Sequence, residues 1–290
     1  MEAYMLSYFL PTTDVPCIVN GEMTNKEVSR EMYKEIKTKE PLNNSNIIKN
    51  ISYDQSEILH NIGMLYNGDS DQFDCDITAS TLKFYKSKNQ RYKIPEPKIL
   101  MDVNPVRDDI IKIEKWGPIP IDSDAIHSII IDLPFVVSPQ KAPSAMKRKE
   151  GSNIIFNRFS SYYPVDNLYY SYYHWISEAY RVLDEGGILI FKTQSTISGG
   201  IRHNIEEFSF MAAQRVGFKM IDSFTLIAKS RLISSGKYKN GQKHSRNYTS
   251  KFLVFKKEQK ERSKEFNYEE LLDVCEEMEE ENGYMDIVEK

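Results

Sequence analysis

The chain has 290 residues and a mass of 33.8 kDa, with 40% hydrophobic and 28% charged residues and a mean hydropathy of -0.51. That composition suits a globular α/β protein and excludes a wholly disordered chain. The longest apolar run, Ala125–Val137, is broken by His127, Ser128, Asp132 and Pro134, so no segment reaches the roughly 18–20 residues needed to cross a bilayer. The formal net charge of -4 hides a segregation. Lys257–Lys290 carries a net of -8, which leaves +4 on the residues before it. Three widely spaced cysteines, Cys17, Cys75 and Cys275, make neither a zinc spacing nor a disulfide framework. With an acidic start that lacks a basic, apolar leader, they predict an intracellular, reducing compartment.

In chain order, Ser7–Val19 reads as extended. Thr24–Thr38 reads as a helix, from Val28, Met32 and Ile36 at four-residue spacing. A second helix is predicted over Ile47–Tyr66, from Ile48, Ile51, Ile58, Ile62 and Leu65. Residues 1–66 are therefore assigned to an N-terminal segment packed on a core domain of residues 67–256, followed by an acidic helical tail, 257–290. Within the core, four short apolar runs predict buried strands: Gln72–Cys75, Lys98–Met101, Ser128–Ile131 and Ile188–Lys192. Two more follow, Lys219–Ile227 and Lys251–Lys256. Helices are predicted over Leu168–Leu183 and Ile205–Val216, the latter closed by Gly217. Alternating strands and helices predict a mostly parallel sheet with helices on both faces.

Ligands of open parallel sheets bind at the carboxyl ends of strands. Polar groups follow each of the first four predicted strands: Asp74-Cys-Asp-Ile-Thr-Ala-Ser, Asp102-Val-Asn-Pro, Asp132-Leu-Pro-Phe and Lys192-Thr-Gln. A single acid there is commonly a turn residue. Four at successive ends point to a site. A carboxylate after the second strand can accept both hydroxyl protons of a ribose. Asp132 and the Leu133 carbonyl together offer two acceptors, matching the two protons of an exocyclic amine, and Phe135 offers a ring for an extruded base. A strand ending in a proline turn, with Phe135 in the core, is the plainer alternative.

Basic residues suggest where phosphates could be met. Ile227–Lys256 carries eight Lys and Arg and no carboxylate, including Lys237, Lys239, Lys243 and Arg246, with His244 among them. Val137–Ser160 carries Lys141, Lys147, Arg148, Lys149 and Arg158, as a lid or as a surface loop. Tyr162–Trp175 is dense in aromatics, better suited to helix packing than to base stacking. The five histidines show no metal spacing, so no metal is predicted. Phe266–Glu281 reads as an acidic helix that could dock on a protein partner, on the basic body, or on nothing.

The ordered set Phe73-Asp-Cys-Asp-Ile-Thr-Ala-Ser, Phe84-Tyr85, Met101-Asp-Val-Asn-Pro and Ile130-Ile-Asp-Leu-Pro-Phe resembles the DNA amino-methyltransferases of the N6-adenine/N4-cytosine type, closest to small phage-like members. Glu178-Ala-Tyr-Arg-Val-Leu, Gly186-Gly-Ile-Leu-Ile-Phe-Lys-Thr-Gln and His244-Ser-Arg with Phe252-Leu-Val-Phe extend the likeness across roughly Ser70–Lys256. The resemblance implies a Rossmann-like class I methyltransferase fold that binds S-adenosyl-L-methionine. It implies an exocyclic amine as acceptor, adenine N6 in DNA ahead of RNA. By it, Asp74, Asp76 and Thr78 face the methionine end of the cofactor, Asp102 and Asn104 its nucleoside, and Asp132, Leu133, Pro134 and Phe135 the target base. Lys192 joins the basic residues as a nucleic-acid contact. Two departures stand out: Leu133-Pro134 replaces a double proline, and Thr78-Ala-Ser-Thr-Leu lacks the glycines usual in the first loop. The second keeps open a silent relative that binds nucleic acid or protein on the same scaffold.

Overall fold

The structure is a computed structural model that describes residues 17–19, 22–24, 47–87, 89–137, 161–162, 164–198, 200–229, 244–245 and 247–258. The chain divides into two compact units, Met1–Lys49 and Asn50–Lys290. In the first, β1 (Cys17–Val19) pairs antiparallel with β2 (Glu22–Thr24). The helix expected over Thr24–Thr38 and the acidic helix Phe266–Glu281 lie outside the described residues, apart from Thr24 in β2.

The second unit holds an eight-stranded sheet in the order β3-β13-β14-β10-β7-β4-β5-β6. Its strands are β3 (Ile51–Ser52), β4 (Cys75–Asp76), β5 (Ile99–Asp102), β6 (Ile111–Lys112), β7 (Ile126–Asp132), β10 (Leu183–Thr193), β13 (Phe218–Ile227) and β14 (Thr249–Lys257). Neighbours from β10 through β6 run parallel. Only β14 is reversed among these strands, antiparallel to both β10 and β13. Strands covered on both faces have no polar side to present. Accordingly Ile129, Ile130 and Ile131 of β7, and Leu189, Ile190 and Phe191 of β10, have no exposed surface.

Five of the six predicted core strands lie where expected, and the first, expected over Gln72–Cys75, is shifted to Cys75–Asp76. The helix expected from Ile47 is shorter: α1 runs Gln55–Tyr66, and Ile51–Ser52 is instead an edge strand beside β13. Asp54 sets that boundary. It is extended (φ -124°), and its carboxylate accepts from the Ser56 amide as an N-cap, while its own amide donates to Ser52 Oγ. On the far side of the sheet, α2 (Asp166–Val182) and α3 (Ile205–Val216) bury Tyr172, Trp175, Ile176 and Phe208 against Ile129, Ile131, Phe191 and Phe255. Gly217 closes α3 at φ +119°, and a Cβ there would stand 3.0 Å from the Tyr180 hydroxyl. The opposite face carries Ile130, Ile190, Phe252 and Val254. Over it lies the 3-10 turn Lys83–Tyr85, which α1 holds through Ser56 Oγ donating to the Phe84 carbonyl.

The chain runs outward from β4 through β5 to β6, then returns to β7 and continues the other way. Strand order therefore reverses between β4 and β7. That reversal marks the crevice where such sheets take ligands. This is a Rossmann-like arrangement: a mostly parallel sheet flanked on both faces by helices.

Candidate functional site

β4 ends at Asp76, level with Leu100 of β5 and Ile130 of β7. The loop that follows, residues 77–82, is therefore delivered between the ends of β5 and β7. It is tied to both. Ala79 donates its amide to the Met101 carbonyl (3.0 Å), and the Ser80 amide donates to Asp102 Oδ2 (2.8 Å). On the other flank Ile77 donates to the Ile130 carbonyl (3.3 Å), and the Asp132 amide donates to Thr78 Oγ1 (2.8 Å). One loop thus links Asp102 to Asp132. With β4 between them, two strand spacings separate the carboxylates' backbones, about 10 Å.

The loop has no glycine, yet Ser80 (φ 44°) and Leu82 (φ 57°) both occupy the left-handed region. A residue with a Cβ is strained there by roughly 1–2 kcal/mol. Leu82 is buried, so packing holds one of the two; the bond from Ser80 to Asp102 holds the other.

Asp102 also accepts the Asn104 amide on Oδ1 (2.7 Å), so each oxygen carries one backbone N–H. A carboxylate has about four acceptor positions, which leaves capacity for two hydroxyls in a fixed orientation. Asn104 itself is exposed beside it.

Asp76 is sealed beneath this loop. Its Oδ2 accepts from the Tyr85 hydroxyl (2.7 Å), and its Oδ1 from both the amide (2.8 Å) and hydroxyl (3.0 Å) of Thr78. Burial pushes its pKa up to about 6, against those three hydrogen bonds, and the Asp132 charge adds to the rise. Asp76 therefore shapes the loop from below, and the half-buried Thr78 ties it to the Asp132 amide. Asp74 is further removed. It precedes β4, on the amino side of the sheet edge, and its Oδ2 accepts the amides of His127 (2.8 Å) and Ser128 (3.1 Å). Lys98 pairs with its Oδ1 at 2.7 Å, and these donors hold the carboxyl below its usual range despite burial. The expectation that Asp74 faces a ligand is corrected: strand β4 starts after it, which sends it to the wrong end.

Lys192 is also placed differently from expectation. It is the register partner of Asp132 on the neighbouring strand, and its ammonium donates to Asp132 Oδ2 at 2.8 Å. The lysine side chain is only 12% exposed, and its charge lies 5.0 Å from the Phe84 ring centre and 5.7 Å from that of Phe252. A cation so enclosed is an anchor for the aspartate, not a surface phosphate ligand. No sequence spacing reveals such a pair across 60 positions; only strand register does.

After Asp132 the chain is firmly seated. Leu133 enters the α2–α3 core, the Pro134 carbonyl accepts from the Tyr172 hydroxyl (3.3 Å), and Phe135 is half-buried against the same core. β8 (Val136–Val137) then pairs with β9 (Ser161–Tyr162). Of the predicted basic contacts, His244 is described: it is half-buried, with Nε2 donating to the Gly200 carbonyl at 2.8 Å. Lys141, Lys147, Arg148, Lys149, Arg158, Lys237, Lys239, Lys243 and Arg246 lie outside the described residues. The basic segment that holds the last four leaves β13 at Ile227 and rejoins β14 at Thr249. Both points are on the sheet edge that carries Asp102 and Asp132.

No family model matches the chain, and no curated protein matches it. Among solved structures, a candidate DNA modification methylase of Thermus thermophilus is similar at 13% identity, over 50% of each chain, with a TM-score of 0.30. The same protein complexed with S-adenosyl-L-methionine gives 15% identity over 50% of this chain and 53% of that one, with a TM-score of 0.28. A candidate class I S-adenosylmethionine-dependent methyltransferase of Listeria monocytogenes gives 12% identity over 87% of this chain and 76% of that one, with a TM-score of 0.39. The chain spans about half the length of the Thermus protein. The fold assignment rests on the strand order described above. Among the described residues, no helix is long and apolar enough to cross a membrane.

Proposed function

We propose that the chain transfers a methyl group from S-adenosyl-L-methionine to an exocyclic amine of a nucleic-acid base, with adenine N6 in DNA as the leading acceptor. The observation that carries this reading is the single loop, 77–82, bonded to Asp102 on one flank and to Asp132 on the other at the sheet's reversal point. The residues fit the cofactor at its ribose end. Asp102 is held by two backbone amides and keeps acceptor capacity, and the loop already adopts the left-handed turns that glycines would otherwise supply. When bound, the cofactor supplies a methyl group on an electrophilic sulfonium.

The protein's share is alignment. Asp132 would accept one amine proton on the oxygen that Lys192 leaves open, and the Leu133 carbonyl would accept the other. Holding both keeps the nitrogen lone pair out of the base ring, where it is free to attack. Phe135, half-buried at the base of the motif, would bear on one face of the base. The nucleic-acid class is supported by the basic connection between Ile227 and Thr249, whose two ends lie at this same edge.

A silent nucleic-acid binder is the second reading, favoured by the Lys192–Asp132 pair. A carboxylate neutralised by an ammonium stabilises positive charge growing on an amine less than a lone carboxylate does. Transfer of labelled methyl groups to unmodified DNA separates the two. The enzyme reading expects incorporation by the native chain and a loss of at least about a hundred-fold in Asp132→Ala, the scale of removing an oriented transition-state partner. Equal incorporation in both proteins removes Asp132 from the mechanism.

A further inference from the structure

Directly after Lys192 and Thr193 the chain forms a small antiparallel hairpin, β11 (Thr196–Ser198) and β12 (Ile201–His203). Its alternation separates two faces. On one, Ser198 Oγ donates to the Val137 carbonyl (2.7 Å), five residues past Asp132, and His203 is buried. On the other, Ile197 and Arg202 are direct cross-strand partners and both are exposed, Ile197 by 36%. This face sets an exposed branched apolar side chain beside an exposed guanidinium.

The hairpin is firmly based. The Ser195 amide donates to Glu206 Oε1 (3.2 Å), its hydroxyl donates to Glu207 Oε2 (3.2 Å), and its carbonyl accepts from Asn247 Nδ2 (3.0 Å). His244 binds the Gly200 carbonyl near the tip. Asn247 and His244 belong to the basic segment, so that segment is moored on the hairpin at two levels. Arg202 donates its Nε to Asn204 Oδ1 (2.9 Å), which orients the guanidinium, and its charge also acts on the nearby Glu206 carboxyl; among the described residues no hydrogen bond takes its terminal nitrogens.

We propose that this hairpin is a DNA-contacting finger. Arg202 takes a backbone phosphate, and Ile197 beside it packs against the step opened when a nucleotide is extruded toward Asp132. The pairing of an apolar wedge with a cation fits duplex nucleic acid that must be both gripped and opened. The inference rests on the nucleic-acid reading above and adds the surface that engages the duplex.

The test uses the full chain and a fluorescein-labelled duplex of mixed sequence, with binding followed by anisotropy across a salt series. Arg202→Ala is expected to lower the slope of log affinity against log salt by about one, and Arg202→Lys to retain it. Ile197→Ser is expected to leave the slope unchanged and to abolish any preference for a duplex with one mismatched pair over a fully paired one. An unchanged slope in Arg202→Ala, with the native circular dichroism spectrum, overturns the proposal. Titrating the same proteins with S-adenosylhomocysteine keeps the two readings apart. A slope effect in a chain that binds no S-adenosylhomocysteine retains the finger and removes the methyl transfer.

Discussion

The two halves of the sheet meet at the candidate site but are built differently. Strands β7, β10, β14 and β13 are long, from seven to eleven residues, and α2 and α3 pack an aromatic core on them. From β4 to β6 the strands have two to four residues, and among the described residues the connections between them contain only 3-10 turns. There carboxylates do what helices do elsewhere. Asp74 closes the backbone of β7, Asp76 closes the loop after β4, and Asp102 closes two turns. An acid at a strand end is thus a framework element first, and a ligand only where acceptor capacity remains.

That contrast can be broken by mutation. The largest loss of stability is expected in the long-stranded half: Trp175→Ala, in the packed core, should cost about 3–5 kcal/mol in urea unfolding. In the short-stranded half a small polar residue should rival it. Asp74→Ala strands two backbone amides and is expected to cost about 3 kcal/mol, at roughly 1–3 kcal/mol per unpaired buried group. A cost under about 1 kcal/mol would show that the carboxylate is not structural.

Asp76 sharpens the comparison through pH. Its pKa rises from 3.8 to about 6 on folding, so the folded state binds the proton more tightly than the unfolded chain. Its contribution is fully present below pH 3.8 and is lost as pH rises through about 6, a change of up to about 3 kcal/mol. Asp76→Asn keeps an acceptor for Thr78 and removes the titration. The difference in stability between variant and native chain should therefore grow in the variant's favour from pH 4 to pH 7. A constant difference across that range would contradict the buried placement. The smallest effect is expected at Ser80→Gly. Relief of left-handed strain exceeds the added chain entropy only slightly, for a gain of at most about 1 kcal/mol.

The parts legible in the sequence follow the same division. Continuous apolar runs such as Ile129-Ile-Ile and Ile188-Leu-Ile-Phe announce strands buried on both faces, and the acids ending them located Asp102 and Asp132. The place of Asp74 is hidden because Phe73 and Cys75 are both buried, so the apolar run begins before the strand does. The role of Lys192 is hidden because charge says nothing of register, and register puts it against Asp132. The start of α1 was hidden because apolar spacing runs on through Ile48 and Ile51, while the boundary is set by the side-chain bond of Asp54.

The central claim is that the loop between Asp102 and Asp132 seats a nucleoside cofactor. Calorimetric titration of the full chain with S-adenosylhomocysteine tests it most directly. Micromolar binding is predicted, weakened roughly a hundred-fold in Asp102→Ala by loss of two charge-assisted hydrogen bonds. No heat at millimolar ligand, or equal affinity in the two proteins, would contradict it.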